Sequence, residues 1–243
     1  MPRAHRVFLP GHVWHITHRC HRQQFLLQFA RDRRRWRYWL YQARKRYGFC
    51  VLNYIATCNH VHLLVKDRGQ EEIPRSMQLI ASRTAQEFNQ RKQRKGAYWE
   101  DRYHATAVDS HGYLARCLVY IDLNMVRAGK VAHPAEWDVC GYNEIQQPPP
   151  RYRVIDTDTL TGLLSLPGRE TMRSEHSSWV SQALASQQLQ RQGYWSDSLA
   201  VGGLNFVARY QRAMGAASRE RTRLQGEAGY RLRENASSYN GHS

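Results

Sequence analysis

Asn59-His60-Val61-His62-Leu63-Leu64-Val65 is the stretch from which the rest of the chain is read. Apart from its two imidazoles the run is apolar and partly β-branched. Strand side chains alternate, so His60 and His62 share one face while Val61, Leu63 and Val65 share the other. One face is then core, and the other can hold a cation. Just upstream, Thr57-Cys58-Asn59 turns the chain back from the apolar stretch Phe49 to Ala56, which makes the two a hairpin. Further out, His12 to Cys20 alternates and reads as a strand. Phe25 to Tyr47 lacks Gly and Pro, is rich in Arg and aromatics, and stops at Gly48, the pattern of a helix with a C′ glycine. Pro74 opens a second helix over Arg75 to Arg94, ended by Gly96, and Tyr98 to Val108 supplies a fourth strand. Strand, helix, strand, strand, helix, strand is the order of an α+β, ferredoxin-like split βαβ sandwich. Its two helices cover one sheet face and leave the face of His60 and His62 open.

Asp109-Ser110 can cap a further helix from about Tyr113 to Arg127. At roughly 100° per residue, Leu114, Leu118, Ile121 and Met125 form its buried stripe. Arg116, Tyr120, Asn124 and Arg127 cluster on a neighbouring one, with Tyr120 and Asn124 one turn apart. A core tyrosine needs neither an amide below it nor guanidinium groups beside it, so this stripe looks built to meet phosphate. For the two segments to meet, this helix has to come round to the open sheet face. His60, His62 and the amide of Asn124 then offer three ligands for a divalent ion such as Mg²⁺ or Mn²⁺, with positions left for water and phosphate. Tyr120 is placed to attack that phosphate in line. A free phenol ionises near pH 10, and Arg116 and Arg127 can supply the cationic setting that favours the phenolate. Attack would leave a covalent phosphotyrosine and a free hydroxyl. Tyr113 is the rival nucleophile, but Cys117, not an amide, lies four residues on. Asp122 falls on the far side of the helix and reads as solvent-exposed. His15, His18, His104 and His111 read as surface or DNA-facing groups.

At these residues the chain resembles a family, the HUH single-tyrosine transposases, in the branch called REP-associated tyrosine transposases. Cys58-Asn59-His60-Val61-His62-Leu63-Leu64 resembles the family's His-hydrophobic-His strand. Tyr98-Trp99-Glu100-Asp101-Arg102-Tyr103 resembles the aromatic-rich segment after its second helix. Tyr113-Leu114 and Tyr120-Ile121-Asp122-Leu123-Asn124-Met125-Val126-Arg127-Ala128-Gly129 resemble its tyrosine helix, followed by His133-Pro134 and Trp137. The likeness covers about residues 5–145. It departs at Met125, where many members have proline, and at Cys140-Gly141, where many have two serines. The resemblance implies the HUH nuclease fold, a 5′-phosphotyrosine with a 3′-OH so that the strand is rejoined without ATP, and a guide-reading role for Pro2 to Pro10.

The 243 residues carry a net charge of +16, the footprint of a polyanionic partner. Arg33, Arg34, Arg37 and Arg44 are interleaved with Trp36, Tyr38, Trp39 and Tyr41, which suits gripping a single strand through phosphates and stacked bases, although half of these aromatics can instead pack on the sheet, the reading preferred for Trp36 and Leu40. Arg91, Lys92 and Arg94 form a second basic run for a hairpin stem, and Arg116 and Arg127 complete the DNA-binding set. The expected partner is single-stranded DNA with a REP-like hairpin, bound by a monomer or homodimer. With no apolar run of the ~20 residues that span a bilayer and no signal peptide, no membrane partner is expected and the location reads as cytoplasmic, nucleoid-associated. Five cysteines without a Cys-x-x-Cys pair exclude a disulfide framework or zinc ribbon, so they read as reduced, mostly buried thiols. The chain divides into a transposase/nuclease domain (1–145), a proline-rich linker (146–153), a small helical extension (154–213) and a disordered basic tail (214–243). The reading is a metal-dependent single-stranded DNA endonuclease and strand transferase; the alternative is a non-catalytic, domesticated DNA-binding regulator of the same fold.

Overall fold

Strands β1 (Val13–Arg19), β2 (Cys50–Ala56), β3 (His60–Lys66) and β4 (His104–Val108) form an antiparallel sheet in the order β2-β3-β1-β4. This is the ferredoxin-like order expected from the sequence. The structure, a computed structural model, describes residues 8–110, 112–186, 190, 192–215, 221–226 and 229–234. His111 and most of the Pro2 to Pro10 segment therefore lie outside the described residues. Register fixes the faces. His62 pairs with Thr17, Leu64 with His15, and His15 in turn with Thr106, so these side chains share one face. Tyr54 pairs with Leu63 and belongs to the other.

Helix α1 (Ala30–Tyr47) lies on the Tyr54/Leu63 face, where Trp36, Leu40 and Ala43, spaced four and three apart, are fully buried. Gly48 closes it at φ 68°, a left-handed conformation that glycine adopts without cost. Alongside α1 runs α2 (Glu72–Arg91), burying Ile73, Met77 and Ile80. The first helix starts at Ala30 and not at Phe25, because Leu27 is fully buried and its N–H donates to the Cys58 carbonyl at 2.9 Å, tying this segment to the hairpin turn. Likewise the stretch from Tyr98 is only partly strand. Trp99 makes an isolated bridge to Cys20 while its indole N–H reaches the Ala81 carbonyl at 3.0 Å.

On the opposite face lies α3 (Gly112–Asp122). The expected continuous tyrosine helix breaks at Leu123 (φ −79°, ψ 6°) and resumes as α4 (Asn124–Arg127), with the Arg127 guanidinium donating to the Tyr120 carbonyl. Beyond it come α5 (Gly141–Gln146), α6 (Thr157–Leu163), α7 (Arg169–Ala185), α8 (Tyr194–Asp197), β5 (Ala200–Gly202), α9 (Leu204–Ala213), β6 (Arg221–Gly226) and β7 (Gly229–Glu234). The C-terminal part is thus not only helical. Strand β5 pairs parallel to β4, and β7 and β6 continue the sheet to seven strands. Over residues 221–226 and 229–234 the polar composition that reads as a tail forms two antiparallel strands, and Leu232 in the second is fully buried. Residues past the proline run also return to the core: Val154 is fully buried, and the Ile155 N–H donates to the Glu144 carboxylate at 2.8 Å. All five cysteines are free thiols, four of them buried. Among the described residues no helix is long and apolar enough to cross a membrane.

Candidate active site

The sheet face under α3 is polar where a core is normally apolar. His15 (0 % exposed), Thr17, His62 (2 %) and Thr106 are all buried on it, and His60 and His104 lie at its margin. Buried polar groups must be hydrogen-bonded to be tolerated. Here they bond mainly to each other and to the C-terminal extension. His15 Nε2 lies 2.8 Å from His62 Nδ1, and its Nδ1 lies 2.8 Å from the carbonyl of Trp195 in α8. Thr106 donates to the carbonyls around α8, at 2.6 Å for Ser198, and His104 Nε2 reaches that same oxygen at 2.8 Å. The expectation that His15 and His18 face surface or DNA is corrected: His15 is fully buried. His18 is 5 % exposed and stacks on Trp99 at 4.1 Å, with its Nε2 2.8 Å from the Asp101 carbonyl.

His60 and His62 do share a face, with ring centroids 4.9 Å apart. The Asn59 amide donates its Nδ2 to the Gln23 carbonyl at 3.2 Å, which turns its Oδ1 toward His60 Nδ1 at 2.7 Å. His60 Nδ1 is therefore the donor in this contact. His62 Nε2 is buried with no hydrogen-bond partner among the described residues. Burial holds the His62 imidazole well below its ordinary pKa, with His60 adding to the effect. Burial likewise lowers His15 to about 4, against the opposing bond to Trp195. Neutral imidazoles are what a metal requires.

Tyr120 comes from α3 onto this cluster. Its ring centroid is 6.0 Å from those of both His62 and His15 and 6.1 Å from that of Trp195, and it is 6 % exposed. The Arg127 guanidinium sits 4.2 Å from the ring centroid, a cation–π contact in which burial disfavours the free cation and Tyr120 supports it. Arg116 is elsewhere, 4.4 Å over the ring of Tyr113. Tyr113 itself packs toward β7, where a Cβ on Gly229 would meet its hydroxyl at 2.2 Å. The rival tyrosine thus points away from the histidines. Asn124 Nδ2 is buried without a partner among the described residues. Because of the break at Leu123, Asn124 starts a new turn and does not simply continue the face of Tyr120. Among the described residues no three His, Cys, Asp or Glu side chains are grouped to hold a metal. The donors that fit one are the imidazoles of His60 and His62, and the buried His62 Nε2 with no partner among the described residues is the sign of an unsatisfied polar centre.

Sequence reasoning missed a second polar link. Asp122, read as solvent-exposed, is 1 % exposed. Its carboxylate accepts from Asn53 Nδ2 at 3.0 Å and pairs with His176 Nε2 of α7 at 2.6 Å, with His176 fully buried. Gly141 makes room for this link, since a Cβ there would lie 1.9 Å from Asn53 Oδ1. A wheel for an isolated helix cannot anticipate a partner 54 residues away.

The arginines divide. Arg33 is 7 % exposed, donates to the Leu27 and Gln28 carbonyls and lies over Trp137 at 4.2 Å. Arg37 donates to Tyr54 Oη and Glu144. Both are held within the fold. Arg34 is exposed and pairs with Asp138 at 2.9 Å, and Arg44 holds the Arg153 carbonyl. Arg91 pairs with Asp32, Arg94 bonds the Ala97 carbonyl, and Lys92 is exposed beside Phe29. Arg34 and Arg91 line a cleft of about 550 Å³ between α1 and α2. That cleft lies across the sheet from Tyr120.

Residues 10–124 match the profile of the family described as Transposase IS200 like. Among solved structures, a REP-associated tyrosine transposase bound to a REP hairpin is similar, at 16 % identity and a TM-score of 0.50, over 64 % of this chain and 94 % of that one. At that identity the likeness is one of fold. A putative transposase from Deinococcus radiodurans matches at 14 % identity and a TM-score of 0.36, over 53 % of this chain and 97 % of that one. No curated protein sequence matches significantly.

Proposed function

We propose, from the match of residues 10–124 to the IS200-like transposase family, that the chain is a divalent-metal-dependent, single-stranded DNA endonuclease and strand transferase with Tyr120 as nucleophile. The observation that carries this reading is the convergence of two imidazoles and a guanidinium-covered tyrosine on one sheet face. His60, His62 and Asn124 are the residues that would hold the metal. Bound there, a divalent ion supplies positive charge to the non-bridging oxygens of the scissile phosphate.

Tyr120 Oη attacks the phosphorus, the phenolic proton leaves to solvent, and the bond from phosphorus to the 3′ oxygen breaks. The 3′ oxygen takes up a proton, and the 5′ phosphate stays on the tyrosine. Attack by a 3′-OH reverses the sequence and rejoins DNA without ATP. Arg127, stacked on the ring, stabilises negative charge as it develops on the phenol oxygen. The similarity in fold to a transposase bound to a REP hairpin supports a hairpin-bearing strand as the substrate.

The test is an end-labelled single strand containing a hairpin, incubated with the protein and Mn²⁺ or Mg²⁺. An adduct that survives denaturation, is abolished by EDTA and is lost in His62→Ala with hairpin binding retained is the expected result. Hairpin binding with no adduct under any divalent ion would replace this reading with that of a non-catalytic DNA-binding protein.

A further inference from the structure

Trp195 lies far outside the family-matched residues, yet its backbone carbonyl is built into the histidine cluster. A carbonyl oxygen can only accept, so the His15 nitrogen facing it, Nδ1 at 2.8 Å, must carry a hydrogen. Both His15 and His62 are buried, and a neutral ring holds one hydrogen only. His15 Nε2 is then a bare acceptor, and the atom facing it at 2.8 Å, His62 Nδ1, is the donor. The Thr17 hydroxyl at 3.3 Å is a second, longer acceptor for the same hydrogen. The lone pair of His62 is left on Nε2, the buried atom with no partner among the described residues.

We infer that His15 is a positioning residue that, anchored by the Trp195 carbonyl of the C-terminal extension, fixes His62 in the Nδ1–H tautomer and so presents its Nε2 lone pair to a divalent cation. This rests on His62 being a metal ligand, as proposed above. A ligating histidine whose other ring nitrogen is held by an acceptor is oriented and made more basic, and losing such a partner weakens metal binding by about 10–100-fold. The inference gives the extension a place in the active site. Strand β1 passes between β3 and β4, so His15 spans from the ligand strand to the element packed over β4.

Two measurements on the full chain test it. In the metal-free protein, two-bond ¹⁵N–¹H NMR of the histidine rings reads which nitrogen is bare. His15 and His62 should both be Nδ1–H with bare Nε2, and a His62 found as Nε2–H or doubly protonated at neutral pH overturns the inference. Mn²⁺ titration, followed by the loss of free-ion EPR signal, then compares His15→Leu with His15→Gln. Leucine removes acceptor and donor alike and should weaken Mn²⁺ binding by about 10–100-fold. Glutamine can accept from His62 and donate to Trp195, so it should keep most of the affinity and the His62 tautomer. Equal weakening in both variants, or none in either, contradicts the relay. If Mn²⁺ binds wild type and His62→Ala alike, the proposed metal site has failed instead, and the NMR result still decides the tautomer.

Discussion

One face of the central sheet sets Trp36, Leu40 and Ala43 against Tyr54 and Leu63, an apolar contact sealed by α1; the other sets His15, Thr17, His62 and Thr106 against Tyr120 and α8. The strands are the same and the burial is similar. The first face is held by volume and dispersion, which tolerate swaps of equal size. The second is held mainly by directional hydrogen bonds, where a swap of equal size can leave a buried donor or acceptor unpaired. Selection for folding alone does not require that arrangement, and it is where the chemistry is assigned. Outside both faces, the arginines of α1 follow neither rule as a group: their charge suits a polyanionic partner, but their positions are decided one by one by what each can bond.

The largest effect should come from the polar face and spare stability. Tyr120→Phe removes one oxygen, so strand breakage should fall by at least about 10³-fold, while the urea midpoint stays close to wild type. A large loss of stability would mean that the hydroxyl belongs to the core and would erase the contrast between the faces. Trp36→Ala on the apolar face should do the reverse and cost about 3–5 kcal/mol of folding free energy by urea denaturation. His176→Ala cuts the buried link between α7 and α3 and leaves the Asp122 carboxylate without its histidine, which should cost about 3 kcal/mol. A cost below about 1 kcal/mol would mean that Asn53 alone satisfies the carboxylate.

The four-stranded frame was legible from local patterns: alternation in β1 and β3, the helix stop at Gly48, the turn before His60. The His-x-His pair and Tyr120 were legible because each is decided by spacing within one element. Asp122, His15 and the role of α8 were not, since each depends on a partner contributed by a distant element: His176 for Asp122, Trp195 for His15. His15 did leave a trace, because His15 and Thr17 alternate in phase with the apolar Trp14 and Ile16 of the opposite face. The trace names a polar face but not its partner. Composition also misled over 221–226 and 229–234, where β7 pairs with β5 and β6 with β7 although both segments are too polar to be recognised as strand.

The smallest effects separate the arginines. Arg34→Gln and Lys92→Gln should each flatten the slope of log K against log salt for hairpin binding by up to about one unit. Arg33→Gln and Arg37→Gln should leave that slope alone and cost about 1–2 kcal/mol of stability through lost internal hydrogen bonds. If Arg34 and Lys92 also leave the slope unchanged, DNA does not use the α1–α2 side, and the contacts belong to the face of Tyr120.

The nucleophile itself can be read directly. Arg116 lies between the two candidate tyrosines, so trypsin releases Tyr113 in the peptide 103–116 and Tyr120 in the peptide 117–127. Mass spectrometry of the adduct formed with a hairpin-bearing single strand and Mn²⁺ should place the phosphonucleotide on Tyr120. A phosphonucleotide on Tyr113 would contradict the assignment of the histidine face as the site of chemistry.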